Sequence, residues 1–255
     1  MTDATDVTDP GTELVREAHD RGITTLTLDS PANRNALSAG LVRELADALT
    51  RCGRDDDVRA VVLTHTGNTF CAGADLRYPP DPRAMAGLLR QLLKLRKPVV
   101  ARVTGHVRAG GLGLLGACDI AAAGPEADFA LTEVRIGVAP AVISLTLLPR
   151  ADPRALTRYS LTGERFDSAE AVRAGLLTLA GDDVDTLLEP VLDGLRRASP
   201  KALAETKRLL TAKVLEAFDL DAGRMSRLSA RMFASDEAGE GLRAFRERRD
   251  PRWVV

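Results

Sequence analysis

The apolar residues of this chain follow two rhythms that exchange along its length. Ile23 to Leu28 (ITTLTL) and the shorter Glu13 to Arg16 predict two strands joined by a turn through Asp20, Arg21 and Gly22. Val58 to Thr64 (VRAVVLT) and the PVVARVTG run from Pro98 are apolar and β-branched, the pattern of buried strands. Between them the period becomes helical. Ser38 stands as an N-cap before Leu41, Leu45, Ala48 and Cys52, which recur on one face, and Asp55 to Asp57 break the helix. Arg83 to Leu95 repeats the pattern, with Met85, Leu88, Leu89, Leu92 and Leu95 inward, and Pro98 stops it. Short strands follow at Ile120 to Ala123 and near Phe129, so that a strand-strand-helix unit occurs twice and predicts a stacked α/β architecture.

From Pro153 the pattern is helical: Pro153 to Leu161 after an Asp152 cap, Ser168 to Ala174 ending at Gly175, Val184 to Ala198, Lys201 to Leu210, Val214 to Phe233, and Glu237 to Arg249. The expected organisation is a disordered tail over residues 1–12, rich in Asp and Thr, an α/β core over 13–198, and a C-terminal helical region over 199–255. Such a region serves either as an oligomerisation element or as a cover for the core.

Composition narrows the function classes. With 255 residues and 45% hydrophobic content the chain can bury a sizeable core. Lys and Arg total 35 against 36 for Asp and Glu, a net charge of -1, so no global field recruits nucleic acid or an anionic membrane. Cys52, Cys71 and Cys118 are odd in number and set among apolar or small residues, which predicts buried thiols in a reducing compartment. His19, His65 and His106 show no ligand spacing, and no metal site is expected. The start MTDATDVTDP lacks the apolar stretch of a signal peptide, and no run is long enough to span a bilayer, so the expected location is cytoplasmic.

The candidate chemistry lies in two glycine-bearing stretches. In Pro98 to Asp119 a buried strand leads into Gly105, Gly110, Gly111, Gly113 and Gly116, and a helix starting there would aim its first N–H groups into an open site. Gly111, Gly113 and Gly116 match the dinucleotide fingerprint, with Glu133 at about the distance of its ribose acid. In that fingerprint, however, the strand runs directly into the first glycine, whereas here Thr104 to Gly110 intervene, so NAD is not expected to bind. The second stretch, Phe70 to Asp75 (FCAGAD), follows a strand and combines a permissive glycine with small residues, the requirements for close backbone approach before a helix start.

FCAGADL and the later glycine run, separated by a helix and PVVARVTG, together resemble the crotonase superfamily, the enoyl-CoA hydratase/isomerase family. The likeness extends through PANRNALS, CDIAAA, LTGERFDSAEAVRAGLL and SDEAGEGLRAFRERRDPRW, nearly the whole chain. It implies an α/β spiral of repeated β-β-α units with a C-terminal helical region that builds homotrimers, usually paired into a hexamer. It implies an acyl-CoA substrate, with coenzyme A part of that substrate and no separate cofactor. By motif position Ala74 and Gly110 would supply the two N–H groups of an oxyanion hole, and Glu133 the proton-transferring carboxyl, its pKa kept high by Leu131, Val134 and Ile136. Substrate would lie along Arg34, Ala36, Ala72, Asp75, Leu76, Arg77, Gly111 and Gly113, with Arg34, Arg77 and Arg248 near its phosphates. Tyr78, Val142, Ile143 and Leu147 are candidates for the acyl pocket.

One departure from the family pattern bears on the reaction. Hydratases of the family generally carry two glutamates, and the first position here is Gly113. Syn hydration is served most simply by two carboxylates, whereas moving a double bond needs one. GLGL followed by TEVRIGVAPAVIS nevertheless resembles bacterial members of the methylglutaconyl-CoA and isohexenylglutaconyl-CoA hydratase branch, in which that glutamate can be absent. The reading is therefore an enoyl-CoA hydratase-type lyase. The alternatives are an isomerase using Glu133 alone and a catalytically silent acyl-CoA-binding protein. A glutamate introduced at position 113 is expected to raise hydration over isomerisation.

Overall fold

A computed structural model describes residues 13–255, and the tail expected over 1–12 lies outside the described residues. In chain order the first half contains β1 (Val15–Asp20), β2 (Ile23–Leu28), α1 (Ala39–Arg54), β3 (Ala60–His65), β4 (Thr69–Cys71), α2 (Pro82–Lys94), β5 (Val99–Val103), β6 (His106–Arg108), α3 (Gly110–Ala117), β7 (Ile120–Ala123) and β8 (Asp128–Ala130). The second half contains α4 (Ala141–Leu147), α5 (Pro153–Thr162), β9 (Phe166–Asp167), α6 (Ser168–Arg173), β10 (Leu179–Ala180), α7 (Val184–Arg197), α8 (Pro200–Phe233) and α9 (Asp236–Glu247).

The strands form a six-stranded sheet ordered β1-β2-β3-β5-β7-β10 and a four-stranded sheet ordered β4-β6-β8-β9. Each turn of the chain contributes one strand to each sheet, β3 then β4, β5 then β6, β7 then β8, which is the β-β-α spiral that the resemblance implies. Successive turns pair in parallel, and only β1 and β9 run antiparallel to their neighbours. Parallel strands covered on both faces must be apolar on both, and β3 is buried at every position. Side chains alternate across the sheet: Val61 and Leu63 enter the main core beneath α1 and α2, while Ala60 and Val62 join Val184 and Leu188 of α7 on the opposite face.

The expected helix starts hold where a cap was visible. Ser38 Oγ accepts from the Leu41 N–H at 3.1 Å, and Asp152 Oδ1 accepts from Ala155 at 2.8 Å. Three expectations need correction. The first strand lies at Val15–Asp20, displaced toward the turn, because its backbone pairs with β2 from Val15 to Asp20. Lys201 to Leu210 and Val214 to Phe233 are one helix of 34 residues, Pro200–Phe233, in which Thr211 is accommodated by donating its hydroxyl to the Lys207 carbonyl, 2.8 Å away. Helix α4 was not foreseen, as Ala-Val-Ile-Ser-Leu-Thr-Leu has the apolar, β-branched character of a strand.

Helix α8 is fastened to the core by a buried cation. Lys207 is 5% exposed, and its Nζ donates to the carbonyls of Leu92 (2.8 Å) and Lys97 (3.1 Å) and to Asp119 Oδ2 (2.7 Å). The same Asp119 oxygen accepts from the Val99 N–H at 2.7 Å, so the pair of Lys207 and Asp119 joins α8, the end of α2 and the first residue of β5. Burial pulls the Lys207 pKa down, against the upward influence of Asp119. Removing one partner leaves a poorly solvated charge facing two carbonyls that have lost their donor. Lys207→Met should therefore destabilise the fold by about 3 kcal/mol, seen as a fall in the urea midpoint at fixed protein concentration. Lys207→Met combined with Asp119→Asn should cost less than the two single changes added together.

Candidate active site

Three segments converge at one end of the cavity. The loop after β2 carries Arg34 and Asn35 at positive φ (58° and 53°), a region that asparagine tolerates and arginine enters less readily. Asn35 is fully buried. Its Oδ1 accepts from the Ser30 N–H at 2.8 Å, and its Nδ2 donates to the carbonyls of Thr66 (3.0 Å) and Thr69 (2.7 Å). The loop so fixed bonds to the stretch after β4: Ala72 N–H to the Arg34 carbonyl (3.1 Å), Leu37 N–H to the Gly73 carbonyl (2.7 Å), and Asp75 N–H to the Leu37 carbonyl (2.9 Å). Gly73 sits at φ 93°, a conformation that suits glycine. Because Leu37 takes the groups on either side of Ala74, the Ala74 N–H faces away from it, as alternate groups of an extended chain do.

The second donor comes from the start of α3. Ala109 holds φ 47° and ψ -114°, strained for a residue with a Cβ, and its N–H is anchored to the Ala130 carbonyl of β8 at 3.0 Å. Gly110 follows as the first helical residue, whose N–H has no partner within the helix. The two peptides are adjacent: a Cβ built on Gly110 would lie 3.8 Å from the Ala74 nitrogen, and one built on Gly73 would lie 3.7 Å from the Gly110 nitrogen. Among the described residues neither N–H makes a backbone hydrogen bond. Two preorganised donors at one point are what a developing oxyanion requires.

Glu133 opens a 3-10 turn, Glu133–Ile136, closed by Gly137 in the left-handed region. Helix α9 lies directly on this turn, so close that a Cβ on Gly241 would stand 2.5 Å from the Ile136 carbonyl. Glu133 is 8% exposed, and among the described residues its Oε2 has no hydrogen-bond partner. Burial pushes its pKa up to about 7.

A cavity of about 730 Å³ joins these groups. Arg34, Ala72, Ala74, Leu76, Gly110 and Glu133 line it, as do Val142 and Ile143 of the expected acyl pocket. Ala36, Asp75, Arg77, Gly111, Gly113, Tyr78, Leu147 and Arg248 are not in its lining. The Asp75 carboxylate instead holds its own turn, accepting from the N–H groups of Arg77 (2.8 Å) and Tyr78 (3.3 Å) and from Asn33 Nδ2 (3.2 Å). Gly111 faces the core, where a Cβ would come within 2.8 Å of Cys71 Cβ. Gly113 faces α4 rather than open space, so a glutamate there has no room with α4 in place, and the expected gain in hydration from that single change is withdrawn. Sequence reading missed Met85 from α2 as a wall residue, and also Phe233 from α8 and Leu242 and Phe245 from α9, the last three reaching the cavity because the C-terminal helices fold back over it. It also missed Asn35, whose signal was no more than an asparagine in a turn. Among the described residues no helix is long and apolar enough to cross a membrane, and no group of three His, Cys, Asp or Glu residues is placed to hold a metal ion.

The chain matches the family model described as enoyl-CoA hydratase/isomerase over residues 18–254. It is 33% identical over 246 residues to an enoyl-CoA hydratase of Mycobacterium tuberculosis, an alignment covering 89% of this chain and 91% of that protein. A crystal structure of an enoyl-CoA hydratase from Mycobacterium avium is 51% identical, with a TM-score of 0.90 over 96% of this chain and 100% of the other. That of a carnitinyl-CoA hydratase from the same species is 26% identical, with a TM-score of 0.85 over 95% of this chain and 99% of the other. A spiral core, two converging backbone donors and a buried carboxyl thus coincide with a family match along almost the whole sequence, and the chain belongs to the enoyl-CoA hydratase/isomerase family.

Proposed function

We propose that this enzyme is a hydratase-type lyase that adds water across the double bond of an enoyl-CoA, with Glu133 as its only proton-transferring carboxyl. The observation that carries this reading is Glu133 Oε2, buried without a hydrogen-bond partner among the described residues, in the same cavity as the Ala74 and Gly110 N–H groups, which make no backbone hydrogen bond there. The thioester oxygen accepts from those two donors. Glu133, ionised, takes a proton from water as the water oxygen bonds to C3 and the π electrons move through C2 to the thioester oxygen. The enolate so formed is stabilised by the donors until Glu133 returns the proton to C2 and is again a carboxylate. A pKa of about 7 suits a group that must both accept and release a proton near neutrality. The hydratase names of the relatives support the reaction type.

We further propose that the protein assembles as a homotrimer or hexamer. The support is the exposure of Leu209, Leu210 and Leu220 along α8, more apolar surface than a solvated helix ordinarily presents. Sedimentation should give a multiple of three chains, and a monomer at micromolar concentration would refute it.

Glu133→Gln should lower turnover by about a hundred to ten thousand fold with little change in CoA-thioester affinity. The test is hydration of short enoyl-CoA substrates beside solvent-deuterium uptake at C2. Double-bond migration without hydration would select the isomerase, and binding without either reaction the silent protein. The pH dependence follows from the same carboxyl. Its active form is ionised in both directions of the reaction, so kcat/KM for hydration and for dehydration should both rise with pH through about 7. A bell with its maximum well below pH 7 would contradict a lone shuttling carboxyl.

A further inference from the structure

Helices α3 and α4 are packed more closely than side chains ordinarily permit. Gly113 and Gly116 lie three residues apart on one face of α3, and α4 is pressed into that face. A Cβ on Gly113 would stand 2.9 Å from Ile143 Cβ and closer still to its Cγ2, and one on Gly116 would stand 2.9 Å from Thr146 Oγ1. The Thr146 hydroxyl lies at this contact, within hydrogen-bonding distance of the Gly113 carbonyl (3.1 Å) and of the Ile143 carbonyl of its own helix (3.0 Å), which share its one proton. Ile143 lines the cavity and Gly113 does not. A side chain leaving residue 113, one turn into the helix whose first N–H is the Gly110 donor, would therefore have to pass through the volume of Ile143.

We propose that Ile143 is a specificity-determining residue: it fills the space through which a second carboxyl on α3 would reach the acyl group, and so confines proton transfer to Glu133. The proposal rests on the hydratase-type reading above. On the Ile143 side the substrate meets hydrocarbon, which offers no proton and no site for a water. The proton delivered to C2 must then be the one Glu133 removed from the water that bonded to C3. The site lacks a second acid because the space is occupied, not because a vacant space lacks a residue. Opening it requires glycine at position 143, because the present Ile143 Cβ alone crowds a Cβ at 113, whereas the Ile143 Cα would be 3.6 Å away.

The experiment compares wild type, Gly113→Ala, Gly113→Glu, Ile143→Gly and the two double variants by urea unfolding and by pH profiles of hydration. Gly113→Ala should lower the urea midpoint, and should lower it less in the Ile143→Gly background than in wild type, a coupling that unrelated sites would not show. Gly113→Glu alone should lose at least tenfold in kcat/KM, whereas Gly113→Glu with Ile143→Gly should regain activity and acquire an alkaline limb, because its second carboxyl must be protonated to act as an acid. Additive changes for Gly113→Ala and Ile143→Gly, or full activity in Gly113→Glu alone, would overturn the proposal. Should the double glutamate variant not fold, the alanine cycle still decides. A wild type that neither hydrates enoyl-CoA nor exchanges the C2 proton would instead overturn the functional reading, and leave the alanine cycle to judge the packing.

Discussion

The cavity depends on holding two peptide N–H groups, from segments 36 residues apart in sequence, side by side in its wall, so that a Cβ built on Gly110 would lie 3.8 Å from the Ala74 nitrogen. In the oxyanion hole proposed above, side-chain identity at Ala74 and Gly110 would contribute little; each peptide plane would have to be fixed before substrate arrives, since reorientation during the reaction would forfeit the benefit. The protein fixes one plane by bridging Leu37 to the residues on both sides of Ala74, and the other by forcing Ala109 into a strained backbone conformation tied to β8. Strain of about 1–3 kcal/mol persists only where the surroundings determine it from several directions. The four-stranded sheet, which carries β4, β6 and β8 in parallel, supplies that determination by fixing the ends from which both segments depart.

The environment of Glu133 follows from a separate constraint. A carboxyl with one oxygen buried and unpaired is costly, and the fold accepts it on a short turn clamped by α9. Here the C-terminal helices act as more than a cover: they supply wall residues of the cavity and hold the turn that bears its acid. A carboxyl kept dry in this way has a proton affinity set by exclusion of water rather than by a charged neighbour, and that sensitivity extends to whatever closes the cavity.

Much of this was legible in the sequence, for physical reasons that can be named. Strands buried on both faces announce themselves as apolar runs, so β3 and β5 are recognisable, and β2 by its β-branched residues next to a turn; capped amphipathic helices such as α1 and α5 announce their starts through Ser38 and Asp152. Glycine-rich context and family likeness singled out Ala74, Gly110 and Glu133, which the fold brings to one cavity. What stayed hidden depends on contacts between distant segments. Nothing local distinguishes Asn35 from any turn asparagine until Thr66 and Thr69 present their carbonyls to it. Gly113 looked like a missing side chain until α4, itself disguised by strand-like residues, was found in its place. Asp75, next to the motif's donor, belongs to its own turn.

Helix α8 has a mechanical consequence. It is pinned near its start at Lys207, and Ser229, Ala230 and Phe233 near its other end form part of the cavity wall. The distance from Lys207 to Phe233 along the axis is about 39 Å at 1.5 Å per residue. Over that lever arm a tilt of about 5° at the pinned end displaces the wall by roughly 3 Å, the width of a water molecule. The packing of α8 on α2 and α4 along its length, and the Ser226 hydroxyl against the Pro82 carbonyl, therefore share with the buried ammonium the task of holding the opposite rim of the cavity in place.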